Sequence, residues 1–279
     1  MITRVTGAAL RAFLMALLVA LPSLILSDVS ADTTQIVVLV ALLAFIMTFI
    51  EYNSQYPSII EFRYASPFNR LRFAALFISI ALLSIICASK TEATALSTVL
   101  SNIGIAWGNV LDFPFSPVRL VVLMMPEHSS DALLTSVRTA AGLSYMISIA
   151  ALFIFVTLVR LLGWPTRNRA FNVWINLPLF DPTAGGDVVQ RLKRDAGLNI
   201  VLGILLPFLI PAVVKATSSF IDPLSLQNPQ TLIWTMTAWA FLPTSMIMRG
   251  IAMGRIAELI EEKRNRAYST TEQANLQTA

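Results

Sequence analysis

Three aspartates are the first residues to test for chemistry. Asp181, Asp187 and Asp195 fall in one polar connection between two apolar runs. Carboxylates at a membrane surface can hold Mg²⁺ for chemistry on a phospholipid headgroup. Their spacing argues otherwise, because metal carboxylates are packed more densely along a chain. Asp181 precedes Pro182, a turn signal, and Asp187 stands three residues before Gln190, as in a capping box. A nucleophile is the second possibility. Ser144 follows Gly142 and Leu143 at the start of an apolar run, but a serine nucleophile needs a general base. The sole histidine, His128, lies in another connection beside Glu127. Ala140, Ser144 and Ser148 read instead as a small-residue packing face. Cys87 is the only cysteine, which excludes an internal disulfide and a Cys/His metal cluster. Phosphate-loop and dinucleotide glycine fingerprints are missing, so no catalytic residue, metal or cofactor is expected.

Transport chemistry has more to work with. Asn199, Gly203, Pro207, Pro211 and Lys215 recur every four residues and form one helix stripe. Two prolines remove two backbone donors and kink that helix, which can expose carbonyls to an ion or substrate. A later run holds Thr235, Pro243 and Thr244. The candidate polar path is therefore Asn199, Pro207, Pro211, Thr235, Pro243 and Thr244. The competing reading is a pair of kinked helices whose small and hydroxyl residues serve packing. Glu51, Arg160, Lys215 and Arg249 all sit near span ends, where they can snorkel or reach water. Ion coupling usually needs a carboxylate or histidine inside the bilayer, and the apolar runs offer none.

The elements that must position these residues follow from composition. Of 279 residues, 56% are hydrophobic and 13% charged. That is about half the charge of a soluble chain, and the mean hydropathy is +0.71. A bilayer core of about 30 Å needs about 20 apolar residues per helix. Six runs qualify, approximately Ala8–Ser27, Thr33–Ile50, Phe73–Ser89, Thr139–Gly163, Leu198–Val214 and Thr231–Met253. Arg and Lys alternate across the connections. Arg4 and Arg11 mark the N-terminus; Arg63, Arg70 and Arg72 follow the second span; Arg160, Arg167, Arg169, Arg191, Lys193 and Arg194 follow the fourth; Arg249, Arg255, Lys263, Arg264 and Arg266 mark the C-terminal end. The positive-inside rule then places both termini in the cytoplasm. It also accounts for the net charge of +4 without nucleic acid. Arg63, Arg70, Arg72, Arg191, Lys193 and Arg194 are the expected headgroup contacts.

Within this frame the first span has a rival reading as a signal peptide, with Val29-Ser30-Ala31 as cleavage site. Ala8, Ala12, Ala16 and Ala20 instead put small side chains on one packing face. Gly250 and Gly254 form a second close-approach pair. The 90–138 connection is expected to carry interfacial helices. Leu96, Val99, Leu100, Ile103, Trp107, Val110 and Leu111 make an apolar stripe there, and Ser130 with Asp131 starts the fourth span. A short basic helix Val188–Ala196 should precede the fifth span. Trp164 and Trp234 suit interface anchors. The aromatic segment from Glu51 to Arg72 should be compact and suits a docking surface or a headgroup belt.

The chain thus reads as an all-α polytopic membrane protein. One helical domain spans 1–266 and a polar tail, expected to be disordered, spans 267–279. A multi-pass protein of a bacterial-type inner membrane is expected, with the bilayer and other membrane subunits as partners. Its expected role is an accessory, scaffold or assembly subunit. A channel or facilitator is the alternative, and a lipid-modifying enzyme the second. Reporter fusions at the N- and C-termini should both give the cytoplasmic signal. A periplasmic signal at either end would break the six-span orientation.

Overall fold

Most of the helices begin where the sequence supplies an oxygen for their free first amides. The computed structural model describes residues 2–27, 29–165, 176–181, 185–218 and 225–278. Ser30 accepts the Thr33 amide and starts α2 (Ala31–Asn53), which follows α1 (Ile2–Ile25). Helix α3 (Phe68–Ala88) starts behind Pro67. Thr94 and Ser97 cap each other reciprocally at α4 (Ala95–Leu111). Ser116 caps α5 (Pro117–Leu123), and Ser130 caps α6 (Asp131–Leu161), as its sequence predicts. Asp187 accepts the Val189 amide at α7 (Val188–Thr217), and α8 runs Pro229–Thr278. Each such cap is worth about 1 kcal/mol. The described residues form helices and irregular connections only. Six helices are long and apolar enough to cross a membrane: α1, α2, α3, α6, α7 and α8.

Two boundaries depart from expectation. The short basic helix Val188–Ala196 and the fifth span are one unbroken helix, because nothing between Ala196 and Leu198 stops the turn. Gly197 alone is a weak breaker. The last helix also runs far past Met253. Charged residues there pair along and between helices: Arg255 with Glu258 at 2.9 Å, and Lys193 of α7 with Glu261 at 2.8 Å.

Helix α8 is the centre of the fold. It packs on α7, α6, α3 and, at its start, α1. Leu18, Ile80, Leu83, Val137, Ile233 and Met236 fill one half of the core. Phe62, Phe155, Leu177, Leu192, Met253 and Ile256 fill the other. Helix α2 is peripheral and touches only α1. Along α1, Ala8 and Ala12 are buried, whereas Ala16 and Ala20 are half-buried.

Close approaches are made by small residues. A Cβ added to Gly142 of α6 would lie 2.6 Å from the Gly108 Cα of α4. Helix α4 therefore meets the bundle through Ser97, Gly104 and Gly108, and its apolar stripe, Leu96, Val99, Ile103, Trp107 and Val110, points outward. In a membrane that outward stripe faces lipid, where small-residue faces, not apolar ones, drive helix association. The α7–α8 seam works the same way. A Cβ on Gly203 would lie 2.6 Å from the Pro243 carbonyl, and one on Gly250 would lie 2.7 Å from the Ala196 carbonyl. Gly254 lies farther out, 3.9 Å from the Ala196 Cβ.

Proline kinks in this seam have an identifiable repair. Pro211 has no N–H, so the Pro207 carbonyl loses its helical donor. Trp239 Nε1 of α8 donates to that carbonyl at 3.1 Å.

Gly142→Ala should lower thermal stability in detergent by about 1–3 kcal/mol, since the Gly108 backbone cannot yield without separating α4 from α6. Gly197→Ala, with nothing within 4 Å of its new Cβ, should be neutral or stabilising by up to about 1 kcal/mol. Equal losses at both positions would show that the close approach has no energetic weight.

Candidate functional site

The polar side chains gather at the end of the bundle where α2 and α6 finish and α3 and α7 begin. Glu51, in the last turn of α2, is buried. Its Oε1 accepts three consecutive amides, those of Ser58, Ile59 and Ile60, at 2.6, 2.7 and 2.9 Å. Successive backbone amides folded around one anion form a nest. The chain after α2 is thereby wound back onto the helix that precedes it. Arg63 closes the loop from the other side. Its guanidinium donates to the carbonyls of Glu51, Ser54 and Gln55 and to the Tyr64 hydroxyl. Arg4 of α1 donates to the Asn53 carbonyl. Cations on the last carbonyls of a helix satisfy orphan acceptors and match its negative end.

A second layer locks this loop to the connection after α6. Phe62 has φ +54°, an uncommon left-handed backbone for a bulky residue. Asn176 holds it there: the Asn176 carbonyl accepts the Phe62 amide at 2.6 Å, and its side-chain oxygen accepts the Tyr64 amide at 3.1 Å. Trp164 Nε1 donates to the Ala65 carbonyl at 3.1 Å. Rings of Phe62, Phe68, Phe155 and Trp164 pack with centroids 4.5–6.1 Å apart. Trp164 is buried in this box and is not the interface anchor its position suggests, because its one donor is needed by a loop carbonyl.

The third layer is an ion pair. Arg249 of α8 donates through Nε and Nη2 to the two oxygens of Glu61, at 2.5 and 2.8 Å. The Glu61 side chain is 8% exposed and that of Arg249 29%. Arg249 and Glu51 both place their polar atoms on partners within the fold. Sequence reasoning placed Glu61 in the compact segment after the second span but missed Asn176 and the pairing with Arg249. An arginine one turn inside an apolar run demands an acid partner, and that demand was the available signal. Arg72 lies between the rings of Phe68 and Phe241, at 5.2 and 6.0 Å.

The other expected headgroup residues have mixed placements. Arg63 is spent on carbonyls. Arg70 is exposed. Arg191 donates to the Asp181 carbonyl and stacks on Phe180. Lys193 pairs with Glu261, and Arg194 lies 3.6 Å from Asp195. Arg167 and Arg169, together with Pro182, Thr183 and Ala184, lie outside the described residues. Asp187 caps α7 and pairs with Arg264 of α8 at 3.0 Å. That hydrogen bond, with the Val189 amide, holds its carboxyl below the usual range. Among the described residues no three His, Cys, Asp or Glu side chains gather as metal ligands would.

At the opposite end, Asp112 accepts from Arg138 at 2.7 Å and from Arg119 at 3.4 Å. A cavity of about 330 Å³ opens between α5, α6, α7 and α8. Thr235, Pro211, Trp239, Met236, Met125 and His128 line it. Of the six candidate path residues it includes Pro211 and Thr235. The Asn199 amide instead donates to the Asp195 carbonyl at 2.8 Å. Pro207, Pro243 and Thr244 are buried in the α7–α8 region.

No family model, curated protein or solved structure matches the chain.

Removing one partner of the buried ion pair leaves an uncompensated charge. Arg249→Ala or Glu61→Ala should each cost about 2–4 kcal/mol in detergent thermal unfolding, and the double variant Glu61→Leu/Arg249→Met should recover most of it. Non-recovery would assign the loss to packing and not to charge.

Proposed function

We propose that this chain is a non-catalytic subunit of a larger complex in a bacterial-type inner membrane, with both termini cytoplasmic. Its role is to hold other membrane subunits in place or to assist their assembly. The observation that carries this reading is the placement of α2. This span packs on α1 alone, and its flank of Leu39, Leu42, Leu43, Ile46, Met47 and Ile50 is uncovered. Its loop end, by contrast, is fixed by Glu51, Arg63 and Arg4. A firmly mounted helix with one neighbour suits a partner's helix on its free side. The polar side chains support the same reading, since those at the basic end brace loops against helices and leave no acid–base pair poised over a cleft.

A channel or facilitator is the second reading. It is favoured by the cavity that reaches Pro211 and Thr235. It is weakened by Asn199, whose amide is turned back onto its own helix. The lipid-enzyme reading finds no support, because Asp187 and Asp195 are occupied by arginines.

The test is purification from the native host through a C-terminal tag in mild detergent, with native mass and identification of what co-purifies. A stoichiometric membrane partner is expected. Leu43→Trp with Ile46→Trp on the free flank of α2 should shed it without lowering thermal stability. A lone monomer or homo-oligomer overturns the subunit reading. Flux measurements on Asn199 and Thr235 variants in liposomes then decide the second.

A further inference from the structure

Three side chains at the basic end lie within reach of one another and keep donor atoms that no acceptor among the described residues takes up. Arg72 of α3 is the first. Its Nε is buried with no hydrogen-bond partner, and Nη1 makes only a long 3.4 Å bond to Asn69. Tyr52 of α2 is the second. The hydroxyl of this half-buried ring donates to nothing among the described residues, yet Arg11, Arg63 and Arg72 all lie within its electrostatic reach. Arg11 of α1 is the third. Its guanidinium sits 4.9 Å over the Tyr52 ring and is otherwise bonded only to the Gly7 carbonyl of its own helix.

The acids that would normally answer these donors are already taken. Both Glu61 oxygens accept from Arg249. The Glu51 carboxylate accepts three backbone amides. A guanidinium between two aromatic rings is stripped of much of its water; Glu61 answers its charge from beyond ion-pair distance while bonded to Arg249, which leaves room for a nearer anion. Arginine donors also match the oxygens of a phosphate in planar pairs. Tyr52 and Arg72 stand in the last turn of α2 and the second turn of α3, two helices long and apolar enough to cross a membrane, and basic residues near such ends meet lipid phosphates.

We propose that Arg11, Tyr52 and Arg72 form a binding site for one phosphate-type oxyanion, between the ends of α1, α2 and α3. The oxyanion lies against the Tyr52 hydroxyl and accepts from Arg72 on its buried side and Arg11 on its open side. It is either the headgroup of an anionic phospholipid or a free phosphate. The site is independent of the subunit reading, because it needs no second protein.

The experiment uses the full chain in mild detergent, with short-chain phosphatidylglycerol and inorganic phosphate titrated separately and in competition by native mass spectrometry. One phosphatidylglycerol should bind saturably. Arg72→Gln and Arg11→Gln should each weaken it about tenfold or more, the loss of a charge-assisted hydrogen bond. Tyr52→Phe should weaken it about threefold. Lys263→Gln, an exposed lysine of the last helix, should leave it unchanged. If inorganic phosphate alone binds and displaces the lipid, the ligand is the free oxyanion. If it does not, the ligand is the headgroup. Equal weakening by Lys263→Gln would reduce the effect to general surface attraction and overturn the site, as would the absence of saturable binding by either probe. Should Arg72→Gln fail to fold, Arg11→Gln and Tyr52→Phe decide the outcome, since Arg11 is exposed and the phenol-to-phenyl change removes one atom.

Discussion

A bilayer offers no water to a backbone group that has lost its helical partner, so every break in a membrane-embedded helix must be answered by another part of the chain. This constraint organises the polar chemistry of the protein. Pro211 frees a carbonyl, and a tryptophan from α8 reaches across to it. The turn after α2 leaves three amides without carbonyls, and Glu51 takes all three. The end of α2 presents unpaired carbonyls, and Arg63 and Arg4 donate to them. Charges that look like surface ornament in the sequence are spent on backbone groups. The arrangement also explains why polar residues accumulate at helix ends and at prolines, and not in a continuous line through the bundle.

The same constraint explains what was legible in the sequence. Apolar run length and basic asymmetry need only local information, and six spanning helices follow from them. Caps are local too, and Ser130 could be named from its neighbours. Side-chain destinations are not local. Nothing near Glu61 points to Arg249, 188 residues away. Nothing near Trp164 points to the Ala65 carbonyl, 99 residues away. Helix α4 shows a subtler limit. Its stripe of large apolar residues marks a lipid face, and the face that packs on protein is the inconspicuous one, Ser97, Gly104 and Gly108. In water the hydrophobic stripe would have been the contact; in lipid the rule inverts. Helix α7 runs unbroken through the limit expected at Ala196, because neither Gly197 nor the change of polarity there ends a helix.

Stability is distributed unevenly as a result. Helix α8 carries the cation of the ion pair, five buried residues of each core cluster and one side of both glycine contacts with α7, so its displacement would unmake most of the bundle. Helix α2 carries almost none of the core. Its place is set at one end by hydrogen bonds and along its length by a single neighbour. The molecule therefore combines a stiff centre with a peripheral helix whose packing is incomplete, and local openings should be drawn from the second.

The long reach of the Glu61–Arg249 pair has a consequence for how the chain is made. Ribosomes deliver about 5–20 residues per second. Glu61 therefore waits roughly ten to forty seconds in the nascent chain for its cation to emerge. Helices α1 and α2 can settle as a hairpin at once, since each is the other's main contact and Glu51 finds its amides within nine residues. Helices α3 to α7 are made with Glu61 still unmatched. Only the last helix completes the circuit. The pairing is thus completed only at the end of synthesis: a chain truncated before Arg249 lacks the cation that Glu61 meets in the finished fold.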